Sequence, residues 1–163
     1  DIVILRDLEG LFALLDDGPV FTPENFAPEV TPNKPELYEL LPIRRAFNPR
    51  EPAVNAGVSG WDLERDRNTI EAYMFPVRMA CADPRVAQAI SWWDQGALIW
   101  AIQSTGLEHR VGKAWKWNLC VKHSRVLNKS YDWNEGVIEA LRRDAPKANL
   151  LHWNGYAVPW MRA

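Results

Sequence analysis

Apolar positions along the chain fall into a few short unbroken runs and several stripes at helical spacing. Ile2-Val3-Ile4-Leu5 is one such run, and Leu150-Leu151 leading into His152 is another. Runs of this length bounded by polar residues read as buried strands, so one is predicted over residues 2–5 and one over 150–152. A third is predicted over residues 54–59, Val54-Asn55-Ala56-Gly57-Val58-Ser59, where small side chains at the centre suit close backbone approach by a ligand or a neighbouring chain. Between these strands lie helical patterns. Asp7 is placed to cap a helix whose Leu8, Leu11, Phe12, Leu14 and Leu15 share one face, and Asp16-Asp17-Gly18-Pro19 ends it. Asp62 opens a helix running toward Met79, and Asp83-Pro84 opens a shorter one. Leu98, Ile99, Ala101 and Ile102 predict a buried helix over residues 96–103, stopped by Thr105-Gly106. One further short helix is expected over residues 134–143. Between residues 19 and 52 prolines recur too often for regular structure, and only residues 36–41 suggest a helical turn. Phe21, Phe26, Leu37, Tyr38 and Leu40 would anchor this surface excursion.

Strands alternating with helices predict an α/β fold, with a mostly parallel central sheet flanked by helices. That sheet would hold residues 2–5, 54–59 and 150–152. A length of 163 residues suits a single domain over residues 1–163 with a substantial core. The net charge of -2 argues against nucleic acid or an anionic membrane as the main partner. No apolar run approaches the roughly 20 residues of a membrane span, and no secretory leader is recognisable, so a cytoplasmic setting is expected. Cys81 and Cys120 stand apart, without CxxC spacing, and read as two buried reduced thiols. Nine tryptophans suit core filling and sugar stacking equally. Residues 109–129 carry no acidic side chain among Arg110, Lys113, Lys116, Lys122, Arg125 and Lys129. This run reads as a solvated basic face, with contact to a phosphate or other polyanion as the sharper alternative.

The chain contains no HExxH, Walker loop, GxGxxG, GxSxG or cysteine cluster. Taken singly, the candidate residues have structural explanations. His152 beside leucines reads as a satisfied core histidine, Asp94 as a helix cap and Asn55 as the residue that satisfies a bulge.

Their order along the chain says more. Asp1-Ile2-Val3-Ile4-Leu5-Arg6-Asp7-Leu8, Val54-Asn55-Ala56-Gly57-Val58, Leu63-Glu64-Arg65, Asp94-Gln95 and His152-Trp153-Asn154-Gly155 follow one another with the predicted strands and helices between them. This set resembles the retaining glycosyltransferases of family 8, the class that holds glycogenin and the lipopolysaccharide galactosyltransferases. In that family a DxD motif precedes an apolar strand, an NAGV strand and a DQ pair follow, and the chain closes on HxxGxxKPW. The resemblance implies a GT-A fold, with residues 1–163 as the C-terminal part of a domain whose nucleotide-binding strands precede DxD. It implies transfer of a hexose from a nucleotide-diphosphate sugar, a UDP-sugar, to a glycan acceptor with Mn²⁺ or Mg²⁺. Asp1 and His152 would be metal ligands, and Asn55, Ala56, Gly57, Asp94 and Gly155 would contact the donor. Gln95, with Asp94, would serve the transfer itself by facing the anomeric carbon. Val158 stands where the family has a diphosphate-binding lysine. That departure keeps a second reading in view, a non-catalytic carbohydrate-binding or scaffold protein on the same fold.

Overall fold

The computed structural model of the protein describes residues 2–23, 33–41, 53–91, 94–112, 119–122, 143 and 145–154. Its elements run β1 (Ile2–Ile4), α1 (Glu9–Ala13), β2 (Val20–Pro23), α2 (Pro35–Leu40) and β3 (Val54–Gly60), then α3 (Arg67–Ala82), α4 (Pro84–Ala89), α5 (Asp94–Thr105), β4 (Leu119–Lys122) and β5 (Leu150–Asn154). Short 3-10 turns cover Leu14–Asp17, Glu108–Arg110 and Ala145–Lys147. Apart from Arg143, the helix expected over residues 134–143 lies outside the described residues, as do Phe26, Lys113, Lys116, Arg125 and Lys129.

The strands do not form the single, mostly parallel sheet that the alternation predicts. In one sheet β5 lies between β1 and β4: it pairs antiparallel with β1, Ile2 opposite His152, and parallel with β4, Cys120 opposite His152. β3 belongs to a second, two-stranded sheet, antiparallel to β2. The expected irregular excursion therefore begins with a strand. Val20, Phe21 and Thr22 are buried there, and Phe21 also bridges to Val111. Nor is β1 the buried strand its apolar run suggests. It is an edge strand, and Ile2 and Ile4, on the same side by strand periodicity, are 47% and 63% exposed. An unbroken apolar run cannot distinguish a covered strand from one whose outer face meets solvent.

α1 starts where Asp7 predicts it, the Asp7 carboxylate accepting the Glu9 N–H at 2.6 Å. It tightens into the 3-10 turn at Leu14, and the two together present Leu8, Leu11 and Leu14 to the core. These leucines, with Leu15, pack on Val20, Val58 and Leu150, so this cluster joins the two sheets. Phe12, expected on the same face, is instead 62% exposed.

α5 is the centre of the molecule. Every residue from Gln95 through Gln103 is buried, as for a helix enclosed on all sides. Leu98, Ile99 and Ile102 pack with Phe21, Ala53 and Val54, whereas Trp100 packs with Leu37, Leu41, Val86 and Ala89. α3 lies along α5, and Phe75 meets Trp100 with ring centroids 5.6 Å apart. Asp83 caps α4 by accepting the Arg85 N–H at 2.9 Å, with Pro84 at the first helical position as the sequence predicts. Cys81 is exposed near the end of α3, contrary to the buried thiol expected there. Among the described residues no helix is long and apolar enough to cross a membrane.

Candidate functional site

The site is built on an irregularity in β3. One step along β2, from Phe21 to Thr22, corresponds to four steps along β3, from Ser59 to Asn55. Ala56, Gly57 and Val58 are therefore looped out of the ladder. Thr22 and Asn55 hold the loop. The Thr22 hydroxyl donates to Val58 O at 2.9 Å and to Asn55 O at 3.4 Å, while Asn55 Oδ1 accepts the Gly57 N–H at 2.9 Å. Asn55 is 1% exposed, so its side chain shapes the bulge from within, as the structural explanation of this residue anticipates. An Asx-type bond to the N–H two residues on is a common way to fix such a turn.

The bulge meets β5. A Cβ built on Gly57 would lie 2.6 Å or less from Cε1, Nδ1 and Nε2 of His152, so the imidazole occupies the space that any larger residue would fill. His152 is 9% exposed, whereas Gly57 keeps open surface away from the ring. Ala56 packs against the core cluster that holds Phe21, Val54, Leu98, Ile99 and Ile102. Gly57 and His152, nearly a hundred positions apart in the sequence, are thus brought together. Asp1, the residue preceding β1, and Gly155, the residue following β5, lie outside the described residues.

Asp94 and Gln95 open α5. The Asp94 carboxylate is exposed and accepts the Gln95 N–H at 3.0 Å, while the Gln95 side chain is buried. Their placement depends on Asn33, which the sequence reading does not single out. Asn33 Nδ2 donates to Gly96 O at 2.8 Å, and its Oδ1 accepts the Ser91 N–H at 3.3 Å. A Cβ on Gly96 would strike Ser91 O and Asn33 Oδ1, so α5 can start here only as glycine passes beneath Asn33. The one signal for Asn33 is its setting, Pro32-Asn33-Lys34-Pro35, a turn sequence in which a polar residue is free to bond backbone.

Aromatic side chains flank this corner. Trp61 packs edge-on against Phe21 at 5.3 Å and stacks on Tyr73 at 6.3 Å, with its Nε1 donating to Ser59 Oγ at 2.9 Å. Burial pushes the Tyr73 phenol above its ordinary range, and the Asp94 carboxylate adds to the effect. Arg110, expected on a solvated basic face, is instead 6% exposed. Its guanidinium donates to Pro19 O, Leu14 O and Gly18 O at 2.9–3.0 Å and pins the turn between α1 and β2. Among the described residues no three His, Cys, Asp or Glu side chains cluster as metal ligands would.

No family model matches the chain, and no curated protein matches it. A structural likeness is present: the apo structure of WbbM, a bifunctional glycosyltransferase, aligns with 98% of this chain at a TM-score of 0.54 and 15% identity. The chain spans 28% of the length of that protein. At such identity the likeness concerns architecture alone. It shows that this chain has a glycosyltransferase-like fold.

Proposed function

We propose that the chain carries part of the active site of a retaining glycosyltransferase that moves a hexose from a UDP-sugar to a glycan acceptor with Mn²⁺ or Mg²⁺. The observation that supports this most is the seating of His152 against the open bulge at Gly57. Glycine at the exposed position of the bulge lets backbone N–H and C=O groups reach sugar hydroxyls, and an imidazole held beside it supplies a ligand at the same place. Asn55 fixes the bulge, and Ala56 and Gly57 offer the backbone. Asp94 accepts hydrogen bonds from sugar hydroxyls. Gln95 stabilises the positive charge that develops at the anomeric carbon through its carbonyl dipole.

The cradle at Gly57 fits a metal-ligating histidine, because it fixes the ring plane without adding a competing side chain. With Asp1 it would form a carboxylate and imidazole pair, a donor set suited to Mn²⁺. A divalent cation bound there would neutralise charge on the leaving diphosphate.

The test is made on the complete protein that contains this chain. His152→Ala is expected to lower Mn²⁺-dependent hydrolysis of UDP-sugars by at least about tenfold, the lower end of what loss of a supporting metal contact costs. Unchanged hydrolysis would remove the metal role. The second reading, a carbohydrate-binding or scaffold protein, is supported by Val158 at the place of the family's lysine. Calorimetry separates the two, since such a protein would bind free glycan and give no heat with UDP and Mn²⁺.

A further inference from the structure

The opposite end of α5 carries a second feature. An open cleft of about 690 Å³ lies between the first turns of α3 and the last turns of α5, lined among others by Arg65, Asn68, Thr69, Trp100, Ser104 and Thr105. From Gln95 to Ser104 the helix rises roughly 14 Å at about 1.5 Å per residue, so this cleft is separate from the bulge and the Asp94-Gln95 corner. Its polar groups exceed what the fold uses. Trp100 is 4% exposed and its Nε1 has no hydrogen-bond partner among the described residues, and the same holds for the buried Ser104 Oγ. Buried donors and acceptors left unpaired cost about 1–3 kcal/mol each, and native proteins keep few of them without a use.

Charge decides what such a cleft can take. Among the described residues its one cation, Arg65, is held by Asp66 through bonds from Nε and Nη2 at 3.0 and 3.2 Å and donates its Nη1 to Asp16 O at 3.3 Å. With that guanidinium neutralised, the remaining lining is hydroxyl, amide and indole, which suits a neutral ligand rich in hydroxyl groups better than a phosphate or an acidic peptide. We infer that this cleft is a glycan-binding site distinct from the transfer site, taking a neutral stretch of oligosaccharide. Asn68, Thr69 and Ser104 bond its hydroxyls, and Thr105 accepts through an oxygen whose proton is committed to Ala101 O at 2.8 Å. The inference rests on the transferase reading only for the presence of a glycan. Held there, an acceptor chain would be kept near the protein while its end reaches the transfer site.

The test is calorimetry with maltohexaose and cellohexaose as probes, together with the indole N–H resonance of Trp100, identified by its loss in Trp100→Phe. Saturable binding that shifts this resonance is expected. Asn68→Ala combined with Ser104→Ala should weaken binding at least about tenfold, the scale of one or two lost hydrogen bonds, while Asp94→Asn leaves it unchanged. Asn68→Ala alone, at an exposed position, gives the same direction of change should the double variant fold poorly. The inference is overturned if neither hexasaccharide binds, if binding ignores the cleft substitutions, or if inorganic pyrophosphate occupies the cleft instead. Absence of UDP-sugar hydrolysis by the unsubstituted protein, with glycan binding intact, would count against the transfer reading only.

Discussion

The contact between Gly57 and His152 makes the sharpest claim about single residues. Any side chain at residue 57 competes with the imidazole for one volume, so Gly57→Ala should destabilise the fold by about 1–3 kcal/mol, the usual cost of overpacking. The same change made on His152→Ala should cost much less, because the ring is gone. A double-mutant cycle by denaturant titration measures this coupling, and additive effects would mean that the ring does not occupy that space. Tyr73 supplies a pH-dependent counterpart. Its phenol titrates above the ordinary value of 10.0 because burial, and then the charge of Asp94, disfavour the phenolate. Between the unfolded and folded values the native state holds the proton that the unfolded chain has lost, so stability falls as pH rises. Below the unfolded value the group contributes no pH dependence. Tyr73→Phe should flatten the alkaline loss of stability, and Asp94→Asn should move the Tyr73 absorbance titration back toward the usual range.

Among the elements, the start of α5 depends on Asn33 and the turn between α1 and β2 depends on Arg110. Asn33→Ala leaves Gly96 O and the Ser91 N–H without the side chain that bonds them. The expected cost is about 1–3 kcal/mol for each group left buried and unpaired, read as a lower thermal midpoint. Asn33→Asp removes the donor and sets a carboxylate against Gly96 O, so it should be at least as damaging. Neither residue announces itself in the sequence. Asn33 sits among prolines, and Arg110 belongs to a run of cations that reads as a solvated face. α4 and α5 were legible because a capping aspartate and an apolar stripe are local signals, whereas α3 begins at Arg67, a turn beyond the Asp62 expected to open it. Partners of strands are not local. Val54–Gly60 reads as a strand from its own residues, but its pairing with β2 depends on a segment whose prolines suggested no strand. The meeting of Gly57 with His152 was legible only as an ordered set of motifs, since no periodicity reports a contact across so many residues.

At the scale of the molecule, α5 and β1 represent opposite extremes of protection. α5 packs against one apolar cluster through Leu98, Ile99 and Ile102 and against another through Trp100, so its opening requires both to separate. β1 is three residues long, lies at a sheet edge and exposes Ile2 and Ile4. Local opening needs only as much free energy as the contacts it breaks. Native-state hydrogen exchange is therefore expected to show the α5 amides from Ala97 through Ile102 exchanging only with global unfolding. The amides of β1 should exchange through local fraying, with little dependence on denaturant. His152 sits between these regimes, on a strand paired with β1 on one side and β4 on the other and seated on the bulge at Gly57. If the cradle rather than β1 holds the histidine, β5 amides should stay protected when β1 opens, and Gly57→Ala should bring the two rates together. Equal exchange of β1 and β5 in the unsubstituted chain would show that the edge strand, not the bulge, fixes the ring.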